Sequence, residues 1–313
     1  MSACASDPPP CLVIGGPTAS GKSALAVALA RACDGVVINA DSMQIYRELR
    51  VVSARPDAAD EAVAPHRLYG VISAATRGSV GAWLDLARRE IAAAQAAGRL
   101  AIVVGGTGLY LKALGEGLAP VPAIPEALRV ALRRFHAEAG DAALHARLAS
   151  RDPQGAARLP PADVHRVLRA LEVVEATGQS LVAFQAAQPP PPALPRRTIL
   201  LMPPRDELAA TIARRCAAML AGGALDEVAA LLAVAADPSL PARKAVGVPE
   251  LARYLCGDSD LPNAEAAFVQ ATRRFAKRQM TWFRHQIVAD LVVDAQFSES
   301  LMPRIFRFMR ERD

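Results

Sequence analysis

The stretch CLVIGGPTASGKSALAVALA, Cys11 to Ala30, decides the fold. Gly16, Gly21, Lys22 and Ser23 stand at the spacing G-x-x-x-x-G-K-[ST], with Pro17, Thr18, Ala19 and Ser20 between the glycines. Upstream, Cys11 to Ile14 is a short apolar run that reads as a buried strand. Downstream, SALAVALARAC is rich in the strong helix formers Ala and Leu. Strand, glycine loop, helix is the context in which backbone N–H groups and a helix N-terminus converge on phosphate. Lys22 can reach the terminal phosphate oxygens, and the Ser23 hydroxyl suits a phosphate-bound Mg²⁺. The loop implies a phosphate chain without saying which one.

Two further apolar runs end in polar signatures. GVVINADSMQIYR gives a strand, Val36 to Asn39, followed by Asp41, and RLAIVVGGTGLYLKAL gives a strand, Leu100 to Val104, then a glycine turn and a helix. Between them, GSVGAWLDLARREIAAAQAAG has the spacing of an amphipathic helix. Strand–helix alternation predicts an α/β fold, a parallel sheet flanked by helices, with ligands at the strand C-terminal ends. Proline-rich edges, APVPAIP (Ala119 to Pro125) and QPPPPALPRR (Gln188 to Arg197), bracket helix-forming segments and predict a helical insertion over 121–195. The sheet core is then expected over 11–120 and 196–313: TILLM returns as a strand, and the pattern from Arg205 is mostly helical, with a basic, frayed end in RIFRFMRERD.

Composition narrows the class. The 313 residues are 52% hydrophobic, enough for a substantial core, yet no run of about 18 apolar residues suggests a membrane span. MSACASDPPP lacks the charged start and apolar stretch of a signal peptide and reads as a disordered tail over 1–10. Cys4, Cys11, Cys33, Cys216 and Cys256 are scattered with no C-x-x-C pair, which argues against a disulfide framework and a cysteine zinc site and for the cytoplasm. The net charge of +5 points only weakly to nucleic acid. Arg is nearly the only cation; Lys22, in the loop, stands where a compact charge rather than a planar fork is needed.

Four blocks in order, GPTASGKSALA, NADSMQIYR, GGTGLYLKAL and TRRFAKRQMTWFR, span Gly16 to Arg284. Together they resemble the tRNA dimethylallyltransferase family, also called the tRNA isopentenyltransferases. The resemblance implies a P-loop NTPase-like sheet and transfer of a five-carbon allylic group from dimethylallyl diphosphate to N6 of adenosine 37, beside the tRNA anticodon. The loop, Gly16 and Thr18 to Ser23, would then cradle a diphosphate leaving group, with Mg²⁺ on Ser23.

The resemblance places the general base at Asp41. On spacing alone, Asp41 at the end of VVINAD fits a metal-positioning carboxylate equally well. The neighbouring Ser42, Met43 and Gln44 tip the reading, because Ser42 and Gln44 suit the edge of a flipped adenine. Thr107 in GGTG is expected to bond the N6 group or the diphosphate. The resemblance implies an arginine in LAATIARRCAAML that contacts the diphosphate, and its register points to Arg215, with Arg214 as its solvated neighbour or the reverse. For tRNA the resemblance implies His165, Arg166 and Arg169, then Arg243 and Lys244 in a block that departs from the family at Lys244, Val248 and Pro249. It adds a basic helical face of Arg273, Arg274, Lys277 and Arg278, interleaved with Phe275, Trp282 and Phe283. A monomer is expected. Two rivals remain: a small-molecule or nucleoside kinase, which leaves DSMQIYR unexplained, and an RNA-binding protein with a disused loop, against which an intact Gly21, Lys22 and Ser23 beside Asp41 argue.

Overall fold

In the structure, a computed structural model, residues 11–191 and 194–311 are described; the expected tail over 1–10 lies outside them. Six strands form one parallel sheet in the order β3-β2-β4-β1-β5-β6. They are β1 (Cys11–Gly15), β2 (Gly35–Asn39), β3 (His66–Arg67), β4 (Leu100–Gly105), β5 (Arg197–Leu201) and β6 (Leu291–Val293). This is the α/β architecture the loop and its two companion strands predict. The short edge strands β3 and β6 were not anticipated, because two or three residues carry no period to read.

The inner strands are apolar without a break because the sheet is covered on both faces. Alternate residues divide between two cores. Cys11 and Val13 of β1 pack with Ile38, Val103 and Trp83 on one face, while Leu12 and Ile14 pack with Val37, Ile102 and Leu29 on the other. Helix α1 (Lys22–Cys33) covers the second face through Leu25, Ala26 and Leu29. Helix α2 (Val80–Ala96) covers the first and seats Trp83, fully buried, with its indole N–H donating to the Asn39 carbonyl at 2.7 Å. The C-terminal segment is not frayed as expected: the helix Met302–Arg310 buries Ile305 and Met309 against the second face, and Arg197 donates to the carbonyls of Phe308 and Glu311.

The chain divides into two compact units, one comprising the residues up to Gly115 and those from Ala193 onward, the other Glu116–Pro192. The second unit has its own small core, in which Leu132, Leu144 and Leu148 of the helical segment Glu126–Arg151, kinked at Gly140, pack against Val167, Leu171 and Val174 of the helix Val164–Thr177. Arg147 makes a bidentate bond to Glu175 at 2.7 and 2.8 Å that ties the same two helices. Cys33 is disulfide-bonded, a bond that the scattered cysteines did not suggest; Cys11, Cys216 and Cys256 are free thiols. No single described helix is long and apolar enough to cross a membrane.

Candidate active site

Strand register brings three polar turns to one edge. Gly15 pairs with Gly105, and Asn39 with Val104, so the turns after β1, β2 and β4 start side by side. The β4 turn needs its glycines for this. A Cβ on Gly105 would meet the Ala40 carbonyl at 2.1 Å, and one on Gly106 would meet Gln279 Nε2 at 2.3 Å. These are close approaches by the protein itself.

The loop after β1 holds Ala19 at φ 66° and Gly21 at φ 84°, left-handed values that open it outward. Its outer side is braced by the chain after β6: Phe297 N–H donates to the Ser20 carbonyl at 3.1 Å, and Gln296 Nε2 to the Ala19 carbonyl at 2.9 Å. The Lys22 ammonium donates to the Pro17 carbonyl at 3.3 Å. Burial pushes that ammonium down to about 8, the charge of Asp41 partly restores it, and Arg215 lowers it further. Ser20 Oγ is buried and has no partner among the described residues, a donor left over by the fold.

Asp41 is set by Asn39, which is fully buried. Asn39 Oδ1 accepts from Asp41 N–H at 2.7 Å, and its amide nitrogen donates to the carbonyls of Asp41 and Leu68 at 3.0 Å each. Asp41 Oδ1 accepts from Met43 N–H at 2.9 Å, so the side chain closes an Asx-type turn and keeps its second oxygen available. Arg215, on the helix α3 (Arg205–Ala221), donates to Thr18 Oγ1 at 3.2 Å. Burial lowers its guanidinium, an effect that Asp41 counters. Arg214 is exposed and, among the described residues, reaches only Thr211 Oγ1, so the register of the two arginines is Arg215 inward. A cavity of about 290 Å³ gathers Lys22, Ser23, Asp41, Gln44 and Arg215.

Thr107 and Ser42 are bonded to each other. Thr107 Oγ1 accepts from Ser42 N–H at 2.9 Å and donates to Ser42 Oγ at 3.2 Å, tying the β4 turn to the β2 turn. Of the residues expected to meet tRNA, Arg273, Lys277 and Arg278 lie exposed on the helix α4 (Leu261–Gln286), Arg278 over the Phe275 ring at 5.7 Å. An open groove of about 610 Å³ runs along this face past Arg274, Thr281 and His285. Lys244 is exposed, whereas Arg243 is committed to the Ala235 carbonyl at 3.1 Å, where it closes a helix end. In the second unit His165 is exposed, Arg166 lies 3.4 Å from Asp163 and Arg169 3.5 Å from Glu172.

Gln279 is the functional candidate the sequence did not announce. It is buried on α4; its Oε1 accepts from Thr18 N–H at 2.8 Å and its amide donates to the Gly106 carbonyl at 2.8 Å. One side chain thereby joins the phosphate loop to the β4 turn. The only signal was its place inside TRRFAKRQMTWFR, whose cations draw the eye first. A Gln279→Leu variant leaves both groups unpaired and is expected to lose about 2–4 kcal/mol of unfolding free energy in urea titrations.

A parallel sheet whose edge gathers a glycine loop, two cations and a carboxylate has the architecture of the phosphate-loop proteins. A family model for IPP transferase matches residues 44–286. The tRNA dimethylallyltransferase of Rhodospirillum centenum is 56% identical over 284 residues, 90% of each chain. That of Rhodospirillum rubrum is 54% identical over 307 residues, covering 96% of this chain and 94% of its own. Among solved structures, the tRNA isopentenylpyrophosphate transferase of Bacillus halodurans aligns with a TM-score of 0.68 at 33% identity, covering 95% of this chain and 94% of its own. The chain belongs to the IPP transferase family. These matches favour prenyl transfer and give no support to the kinase reading.

Proposed function

We propose that this chain transfers a dimethylallyl group from dimethylallyl diphosphate to N6 of adenosine 37 of tRNA, yielding N6-isopentenyladenosine and diphosphate. The observation that carries this reading is the single cavity shared by Lys22, Ser23, Arg215, Asp41 and Gln44, which joins an anion cradle to a carboxylate. Cleavage of the C1–O bond leaves its electron pair on the diphosphate. Lys22, the loop N–H groups and Arg215, placed through Thr18, are disposed to neutralise that charge as it develops. The adenine amine is a weak nucleophile because its lone pair is delocalised into the ring. Once C1 bonds to N6 the nitrogen turns acidic and has to shed a proton; Asp41, in the same cavity, is placed to accept it. Thr107 and Ser42 hold the turn that carries it.

The donor set fits Mg²⁺ in its usual phosphate-bound form. Ser23 lines the cavity, and no described cluster of three or more His, Cys, Asp or Glu side chains offers an all-protein cage. Ser23 would hold the ion, whose positive charge would further stabilise the leaving diphosphate.

The target base is stacked in the anticodon loop and has to be extruded into the cavity. In this reading the exposed face of Arg273, Lys277 and Arg278 grips phosphates of the stem–loop, and the second unit, through His165, Arg166 and Arg169, clamps the RNA. The Arg166–Asp163 pair is a weak surface pair that phosphate can displace, whereas Arg169 shares the mostly buried Glu172 with Arg129. Lys277→Glu is expected to weaken tRNA binding and flatten its dependence on log salt by about one counterion, measured by filter binding. The chain is expected to act as a cytoplasmic monomer. Mass spectrometry of tRNA fragments after incubation with isotope-labelled donor tests the assignment: label on the adenosine beside the anticodon supports it, and unmodified fragments with turnover of ATP instead contradict it.

A further inference from the structure

Glu227 lies on the helix Ala224–Val234, more than 170 positions from the turn that follows the second strand. Its carboxylate nevertheless accepts three successive backbone N–H groups, with Oε2 taking Arg50 at 2.8 Å and Val51 at 2.7 Å, and Oε1 taking Val52 at 2.9 Å. Consecutive N–H groups converging on one anion form a nest, here filled by the protein's own side chain. The turn closes on itself: Ala54 N–H donates to the Val51 carbonyl and Arg55 N–H to the Arg50 carbonyl, each at 2.9 Å. Ala54 sits at φ 52°, a left-handed value that a non-glycine residue holds only when its surroundings impose it.

The next two carbonyls have a task. Those of Ser53 and Ala54 both accept from Gln44 Nε2 at 2.9 Å, and all three residues line the cavity with Lys22 and Asp41. Two carbonyl acceptors fix which end of the Gln44 amide is nitrogen. Oε1 is thereby left as an acceptor with no partner among the described residues. An acceptor at this wall suits the N6–H of adenine and repels the O6 of guanine.

We infer that Glu227 is a positioning residue for the target base. It organises the turn 50–54 so that Ser53 and Ala54 hold Gln44 with an acceptor facing the incoming purine. This rests on the prenyl-transfer reading above. Glu227→Gln keeps the size of the side chain but sets an NH₂ against at least one of the three N–H groups. With an anticodon stem–loop substrate, kcat/KM is expected to fall on the order of tenfold to a hundredfold, while the Kd for dimethylallyl diphosphate and the Tm stay near those of the parent enzyme.

A double-mutant cycle separates positioning from general structural support. If Glu227 acts through Gln44, the Gln44→Ala/Glu227→Gln enzyme is no slower than Gln44→Ala alone. A Glu227→Gln enzyme at parental rate, or losses that multiply in the double variant, would overturn the inference. Should Glu227→Gln fail to fold, Glu227→Asp, which keeps the charge but shortens the reach by one methylene, runs through the same cycle with the same two outcomes. A parent enzyme that prenylates no stem–loop would instead remove the reading on which the inference rests, a separate result.

Discussion

An Asp41→Ala enzyme is expected to bind dimethylallyl diphosphate and tRNA but to transfer the prenyl group on the order of 10²–10⁴ times more slowly. The size follows from what the variant removes. The newly bonded N6 has to shed a proton inside a cavity, and Asp41 is the carboxylate that lines it. Its backbone is held by the Asn39 amide, so truncating the side chain does not move the turn, although the Met43 N–H loses its acceptor. Rapid-quench single turnover isolates the chemical step from binding. The same experiment decides between the two roles that the spacing leaves open for Asp41. A base affects the transfer step alone. A metal-positioning carboxylate would also weaken donor binding and raise the Mg²⁺ concentration needed, in titrations with the non-reacting variant.

Replacing Lys22 by Met, similar in length and uncharged, is expected to lower the single-turnover rate on the order of 10²–10³-fold and to weaken donor binding. Among the described residues Lys22 is the one amine lining the cavity, and burial has pushed it down to about 8. The sign of the pH effect follows. A diphosphate favours the ammonium, so the free enzyme binds donor best below about pH 8 and affinity falls as pH rises through that value. For stability the direction is opposite. The folded value lies below the ordinary lysine value of 10.5, so the buried ammonium is a cost at low pH, relieved between about 8 and 10.5 as the folded state loses its proton first. Calorimetric titration of donor at several pH values checks the first effect, which Lys22→Met abolishes. A pH-independent affinity across this range would contradict the assignment of Lys22 as the cation that meets the diphosphate.

Much of the fold was legible because the inner strands are buried on both faces and announce themselves as unbroken apolar runs ending in glycine or aspartate. Gly16 to Ser23 could be read from spacing alone, since loop geometry demands those residue types in that order. Gln279 could not, because nothing in a helical segment marks which residue turns inward, and its bonds to Thr18 and Gly106 span 261 and 173 positions. Glu227 was invisible for the same reason: its three partners lie on a turn with no periodic pattern, more than 170 residues away. Thr107 was anticipated as a ligand to the N6 group or the diphosphate, and its bonds to Ser42 were not anticipated; a sequence marks a residue in a glycine turn without naming the protein partners of its hydroxyl. Arg243 was grouped with Lys244 as a cation for RNA; that one of its guanidinium nitrogens also donates to the Ala235 carbonyl at a helix end could not be read from the segment.

The most direct test is where the leaving group sits. Crystals of the protein soaked with the non-reacting sulfur analogue, dimethylallyl S-thiolodiphosphate, and Mg²⁺ would locate sulfur and phosphorus by anomalous scattering. Both phosphates are expected within hydrogen-bond reach of the Lys22 ammonium and the Ala19–Ser23 N–H groups, with the sulfur directed toward Asp41. A diphosphate bound elsewhere, with the loop vacant, would contradict the proposed use of this site.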